Sequence, residues 1–312
     1  MRIETAAATD ETNALEHTHD QWIADRYEVR CQLAQGGVGV VYLAYDHHLE
    51  REVAIKRTLD SRSNHDLDET ENLYREAKML ARLAHPNIVS LHDFGVDHGG
   101  PYLVTQVVHG DTLSKLIESA ALTDTDFFEF VEQTLDPLVE AERIGLIHRD
   151  IKPSNLMLSI TPGSRLHVYL LDFGLAKVHR RASTQTLDMN GQFLGSIDYL
   201  APEQFEVKPL DQRTDLYSLG CVYYYSLTQQ SPFRGETAGE TMRNHLENRF
   251  LPLAQQRRSL PSSVASWVES LLARDPNDRP AGAHEALTAF QQCREAALDS
   301  RVGDTTKIRV IR

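Results

Sequence analysis

The run His148-Arg149-Asp150-Ile151-Lys152-Pro153-Ser154-Asn155 is followed, seventeen residues after Asn155, by Asp172-Phe173-Gly174. Together they place a carboxylate, an amine, an amide oxygen and a second carboxylate within 25 residues. A carboxylate can take a proton, an ammonium can neutralise phosphate, and amide and carboxylate oxygens are hard donors for a divalent cation. Asp-x4-Asn alone is a weak signal, whereas the ordered combination is far rarer than its parts.

Upstream, the chain from Tyr27 turns to short β-rich runs at 27–33, 38–45 and 52–57, which predict three consecutive antiparallel strands. Turns fall at Gly36-Gly37 and around 46–50. Residues 68–84 carry Leu73, Ala77, Leu80 and Leu83 at helical spacing, stopping before His85-Pro86. Two apolar runs, 88–94 and 102–108, flank Asp97-His98-Gly99-Gly100 and read as a hairpin. The expected sum is an α+β fold: a small five-stranded antiparallel β lobe with one helix, then a larger helical lobe. After Gly110 a long helix is expected from Thr123 or Asp124 to about Arg143, with others near 214–229, 238–247, 262–273 and 283–297. The switch at 106–110 is the expected hinge, and a cleft between lobes is a common ligand site.

The chain has 312 residues, long enough for two domains or one bilobal unit with a sizeable core. With 41% hydrophobic and 25% charged residues it reads as soluble and globular. A formal net charge of -13 disfavours broad attraction to nucleic acid or anionic membrane, so neither is expected as a main partner. The most apolar stretch, 216–227, is too short to span a bilayer and reads as a buried core helix. Residues 1–24 are polar and acidic, without a secretory or transit pattern, and are expected to form a disordered tail of a cytoplasmic protein. Residues 298–312 show no core face and are expected to be a loose tail, leaving 25–297 as the folded domain. Cys31, Cys221 and Cys293 are few and far apart, as suits reduced thiols.

The stretch from His148 to Gly174 resembles the catalytic loop and metal-binding motif of eukaryotic-type (Hanks-type) serine/threonine protein kinases, especially their bacterial members. The resemblance covers about residues 27–295 and implies the bilobal kinase fold, with an N-lobe at 25–106 and a C-lobe at 111–297. It implies transfer of the γ-phosphoryl group of ATP to Ser or Thr hydroxyls of proteins, with magnesium, for which manganese can substitute. Asp150 would be the catalytic base, Lys152 would stabilise the transferred group, and Asn155 and Asp172 would bind the metal. Leu33, Ala34, Gln35, Gly36, Gly37, Val38, Gly39, Val40 and Val41 resemble the glycine-rich loop over the phosphates, with Ala34 where the family has its first glycine. Lys56 in Val53-Ala54-Ile55-Lys56 would hold the α/β-phosphates and pair with Glu76. Val41, Ala54 and Met157 would enclose adenine, Gln106 and Val108 would read its edge, and Thr105 holds the gatekeeper position. Leu80, Leu91, His148 and Phe173 match the stacked internal column of active kinases.

Between Asp172 and Ala201-Pro202-Glu203 lies a stretch with the composition of an activation loop, in which Ser183, Thr184 and Thr186 are candidate phosphosites. Arg149 and Lys177 would clamp the phosphate, and self-association for trans-autophosphorylation is an open expectation. Ser196 would bridge Asp150 and Lys152. Asp215 matches the buried aspartate that anchors the catalytic loop, and Arg279 the arginine that pairs with Glu203. A pseudokinase scaffold and a small-molecule kinase of related fold are the alternatives.

Overall fold

The computed structural model describes residues 22–36, 39–58, 74, 77–161, 165–172 and 197–307, in two compact units. One comprises the chain up to residue 63 together with 93–107; the other comprises 64–92 and everything from 108 onward.

The first unit is a sheet. Strands β1 (Trp22–Ile23), β2 (Tyr27–Gly36), β3 (Gly39–Asp46), β4 (Arg51–Thr58), β5 (Leu91–Asp97) and β6 (Gly100–Thr105) lie in the order β1-β2-β3-β4-β6-β5. The sheet thus has six strands instead of the expected five. Trp22 and Ile23, assigned by composition to the acidic tail, pair with β2, and Ile23 is only 3% exposed. Three apolar residues between polar neighbours, Trp22-Ile23-Ala24, are too short a run to register as a strand. Tyr27, Ala44, Val53, Ile55, Tyr102 and Val104 join Ile23 in one apolar cluster. Because side chains alternate across a strand, that cluster claims one face of β3, β4 and β6 and leaves the opposite face to their neighbours.

A polar clasp ties the first turn to β5. Arg26 donates from Nε and one terminal nitrogen to both carboxylate oxygens of Asp46, and from the other nitrogen to Asp93 at 3.0 Å. The Tyr27 hydroxyl donates to the same Asp93 oxygen at 2.7 Å. Asp46 is nearly fully buried, and the Arg26 guanidinium holds its carboxyl down at about 2. The clasp thereby satisfies charges that would otherwise be costly to enclose.

The second unit is mainly helical. Its helices are α1 (Leu113–Ser119), α2 (Asp124–Arg143), α3 (Pro202–Phe205), α4 (Gln212–Thr228), α5 (Ala238–Leu246), α6 (Leu253–Gln256), α7 (Ser262–Leu271) and α8 (Ala283–Lys307). Tyr74 and residues 77–80 are also helical, within the expected 68–84, but the helix ends at Leu80 with a turn at 81–82, four residues short of the expected end; 68–73, 75 and 76 lie outside the described residues. Thr123 caps α2 by accepting from the Asp126 N–H, and Asp124 and Asp126 complement the positive end of the helix. Helix α4 is buried almost all round from Thr214 to Leu227, which is why its sequence shows no polar face. Gly220 permits that burial: a Cβ there would stand 2.9 Å from side chains of both Leu271 and Leu272. Tyr223 and Trp267 stack, while Phe127 and Phe290 meet edge to face. Helix α8 runs to Lys307, beyond the expected end of the fold at 297.

A three-stranded sheet of β7 (Asp111–Thr112), β8 (Leu156–Thr161) and β9 (Arg165–Leu170) was not anticipated in this unit. Next to it, Asn87 donates its side-chain amide to Gln133 and to the Val168 carbonyl. The Val89 N–H donates to Leu170 O, and Leu170 N–H to Asn87 O. These bonds fasten the segment after the 77–80 helix to β9.

His245 on α5 is fully buried against Phe205, Tyr217 and Phe233, with Nδ1 2.8 Å from the Tyr217 hydroxyl. Its Nε2 meets no hydrogen-bonding partner among the described residues, and burial pushes the imidazole down to about 3. The unfolded chain protonates this group near pH 6.5. Its contribution is therefore fully present above pH 6.5 and is lost as pH falls toward 3, at up to about 1.4 kcal/mol per pH unit. In denaturant unfolding between pH 7 and pH 5.5, the wild type should lose more stability than His245→Phe; equal losses would contradict this account.

Candidate functional site

The loop from His148 to Asn155 hangs from one buried carboxylate. Asp215, in the first turn of α4, accepts from the His148 N–H at 2.7 Å with Oδ2 and from the Arg149 N–H at 2.8 Å with Oδ1. Burial pushes this carboxyl up to about 7, opposed by the same two N–H groups, which favour its ionised form. Arg149 adopts a left-handed φ of 65°. For a residue other than glycine that conformation needs support from its surroundings.

The fully buried His148 ring organises the rest of the loop. Its Nε2 lies 2.8 Å from Leu171 O, an acceptor only, so Nε2 carries the proton. The Asp150 N–H is a donor only and reaches Nδ1 at 3.3 Å. The geometry therefore selects the neutral Nε2–H tautomer. Leu171 also donates its N–H to Asn155 O at 2.9 Å, so both its backbone groups engage the loop. Asp172, the next residue, has φ 52°.

Within the loop, Lys152 Nζ lies 3.0 Å from Asp150 Oδ2. Asn155 Nδ2 donates to Asp150 O at 2.8 Å and to Asp150 Oδ2 at 3.1 Å. Pro153–Asn155 forms a single 3-10 turn, closed by Asn155 N–H to Lys152 O, that brings Asn155 back to Asp150. With its amide nitrogen committed to Asp150, Asn155 keeps its amide oxygen as the hard donor. Asp150, Lys152 and Asn155 are thus together, with Asp172 one residue from the Leu171 bonds. Met157 lies on β8, opposite Thr112 and Tyr169.

In the sheet unit, register gathers the other candidates. Val41 pairs with both Ala34 and Lys56, Ala54 with both Leu43 and Thr105, and Lys56 with Leu103. Directly opposed residues share a face, so Val41, Ala54, Lys56 and Thr105 stand together on the face that the apolar cluster does not use. Gly36 pairs with Gly39 at the β2–β3 turn, beside Gln35 and the buried Val40; Leu33 is exposed. Gln106 follows β6 and its carbonyl accepts from the Thr105 hydroxyl, and Val108 begins the second segment of the helical unit. Gly37, Val38, Glu76, Phe173, Lys177, Ser183, Thr184, Thr186 and Ser196 lie outside the described residues.

A buried ion pair holds α3, whose Gln204 reaches the loop. Arg279 donates to both oxygens of Glu203, at 2.8 and 2.9 Å, and its remaining donors reach carbonyls of Arg213, Ala273 and Arg274. Thr214 adds its hydroxyl to Glu203. Such a pair mainly fixes geometry, and removing one partner would cost about 3–5 kcal/mol. Beside it, Gln204 accepts from the Ala201 N–H at 2.9 Å and donates to Arg149 O at 3.2 Å. Sequence reasoning passed over Gln204; the only signal was an amide at the third position of a helix opened by Pro202.

This arrangement has known counterparts. The protein kinase domain model matches residues 27–290, and the chain belongs to the protein kinase family. It is 34% identical over 275 residues to the probable serine/threonine-protein kinase pknA2 of Bifidobacterium longum, covering 87% of this chain and 35% of that protein. It is 33% identical over 258 residues to the serine/threonine-protein kinase PrkC of Bacillus subtilis, covering 82% of this chain and 39% of that one. The chain thus spans less than half the length of these relatives. Among solved structures, Rad53 1-466 in complex with AMP-PNP superposes with TM-score 0.68 at 25% identity, over 84% of this chain and 64% of that one. A point mutant of the kinase domain of Mycobacterium tuberculosis PknI shares the fold, with TM-score 0.67 at 23% identity, over 86% of this chain and 95% of that one.

Asp215→Asn tests the anchor. An amide offers one acceptor oxygen, so its NH2 must face a backbone N–H, at a cost of about 1–3 kcal/mol. Urea unfolding should register that loss, and amide exchange at His148 and Arg149 should accelerate.

Proposed function

We propose that this chain transfers the γ-phosphoryl group of ATP to serine or threonine hydroxyls of proteins. The observation that carries the reading is the loop just described, in which one buried aspartate and one neutral histidine hold Asp150, Lys152 and Asn155 together. The names of the bacterial relatives support the Ser/Thr class.

In this reading Asp150 orients the acceptor hydroxyl and takes its proton as the oxygen–phosphorus bond forms and the bond to ADP breaks. A carboxylate already flanked by Lys152 and Asn155 is a weak base, suited to placing the hydroxyl and receiving the proton late. Lys152 neutralises charge that accumulates on the transferred group. The residues present fit a divalent cation: Asn155 keeps its amide oxygen as a hard donor, and the carboxylate of Asp172 comes directly after the residue bonded to Asn155. Magnesium, with manganese as a substitute, would shield the phosphate charge there. Lys56, on the face shared with Val41 and Ala54, would hold the phosphates and pair with Glu76, while Val41, Ala54, Met157, Gln106 and Val108 would receive adenine. Leu33 to Val41 would cover the phosphates.

Regulation through phosphate on Ser183, Thr184 or Thr186, placed by a second copy of the chain, belongs to the same proposal. The motive is the hydroxyl-rich composition of 183–186 together with an arginine directly before Asp150 in the sequence. A domain that consumes ATP works where ATP is supplied, which supports a cytoplasmic position. Among the described residues, no helix is long and apolar enough to cross a membrane.

With labelled ATP, magnesium and a generic protein substrate, Asp150→Ala and Lys56→Met should each lower transfer by at least about 10²-fold. Labelling unchanged in both variants would sink the assignment. Mass spectrometry after incubation with ATP should find phosphate between residues 183 and 186 in the wild type and none in Asp150→Ala; phosphate confined to the two chain ends would count against loop regulation.

A further inference from the structure

The peptide plane that joins Arg149 to Asp150 is held at both ends by side chains. On one side the Asp150 N–H donates to His148 Nδ1. On the other the Arg149 carbonyl accepts from Gln204 Nε2, 55 residues away. The Arg149 N–H is itself held by Asp215. Both backbone groups of a left-handed residue are therefore bonded to side chains of different helices, α4 and α3. Helix α3 is in turn immobilised through its neighbouring residue Glu203, locked in the buried Arg279 pair.

We infer that Gln204 is a positioning residue for phosphoryl transfer: its amide nitrogen fixes the orientation of the Arg149–Asp150 peptide and so the direction in which the Asp150 carboxylate is presented. The inference rests on the kinase reading of Asp150. Gln204 touches no reacting atom and acts through the loop backbone. Its two bonds have different duties. The oxygen accepts from the Ala201 N–H and serves the start of α3; the nitrogen donates to the catalytic loop and has no use in capping the helix. A short helix that only needed a cap would be served equally by glutamate, which accepts and, by its charge, complements a helix N-terminus. Only the second duty demands glutamine.

That division supplies the test. Gln204→Glu keeps the acceptor and loses the donor, setting a carboxylate against the Arg149 carbonyl. Gln204→Met keeps the length and loses both. The wild type and both variants are assayed with protein substrate and ATP, alongside melting temperature and hydrogen exchange of the segment 147–156. A misaligned base lowers kcat while leaving ATP binding intact. Gln204→Glu should melt within a few degrees of the wild type, with kcat down about 5- to 30-fold, KM for ATP unchanged and faster exchange at Arg149 to Ile151. Gln204→Met should show the same kcat loss with a lower melting temperature. A Gln204→Glu enzyme with kcat within twofold of the wild type, or a loss confined to KM for ATP, overturns the inference while leaving the kinase reading intact. A wild type that transfers no phosphate removes that reading, and this inference with it.

Discussion

One carboxylate carries the arrangement: Asp215, enclosed at the start of a helix buried on nearly every side, accepts from two consecutive backbone N–H groups 66 and 67 residues upstream. Two adjacent N–H groups that converge on one acceptor force the chain out of regular structure, and the left-handed Arg149 is the result. The remainder of the loop takes its place from that turn. The His148 ring is directed to Leu171, the Leu171 N–H returns to Asn155, and Asn155 and Lys152 close on Asp150. A flexible surface loop could present the same residues, but not in one orientation. The cost of burying a carboxylate is offset by satisfying both its oxygens, which is the usual condition for enclosing such a group.

How much was legible in the sequence depends on the range of each interaction. Asp150, Lys152 and Asn155 meet through one short turn, so their spacing along the chain is already close to their spacing in space. The three strands from Tyr27 onward and the hairpin around Gly99 were legible for the same reason: alternation and turn residues are local. Asp215, Glu203 and Arg279 reached the reading only through family resemblance, because nothing local links residues that are 66 or 76 positions apart. Gln204 left only its place at the third position of α3 as a trace, since a side-chain amide bonded to a distant carbonyl imposes no periodicity. The sheet of β7, β8 and β9 was missed because Leu156 to Thr161 is a short apolar run directly after the loop, and such runs do not declare strand or helix by pattern.

The two units solve the burial of charge differently. The sheet unit uses Arg26 with Asp46 and Asp93, a clasp that reaches the surface, where Arg26 keeps a quarter of its side chain exposed. The helical unit encloses Arg279 with Glu203 entirely and surrounds the guanidinium with carbonyls. The first arrangement tolerates small adjustments of its partners. The second admits one geometry, which suits a support for residues whose relative placement decides their chemistry.

The path of the chain between β4 and β5 bears on how the molecule could be taken apart. Residues 64–92 belong to the helical unit, held there by Asn87 and Val89, before the chain returns to complete the sheet with β5 and β6. Strand β6 is the neighbour of β4, so no continuous fragment that stops before residue 93 contains a finished sheet. The smaller unit is therefore not a module that could be excised or exchanged. Joining β6 to β4 requires closure of the chain between residues 58 and 100, an entropic cost that grows only slowly with its length. A fragment cut at residue 63 would leave β4 as an unpaired edge strand.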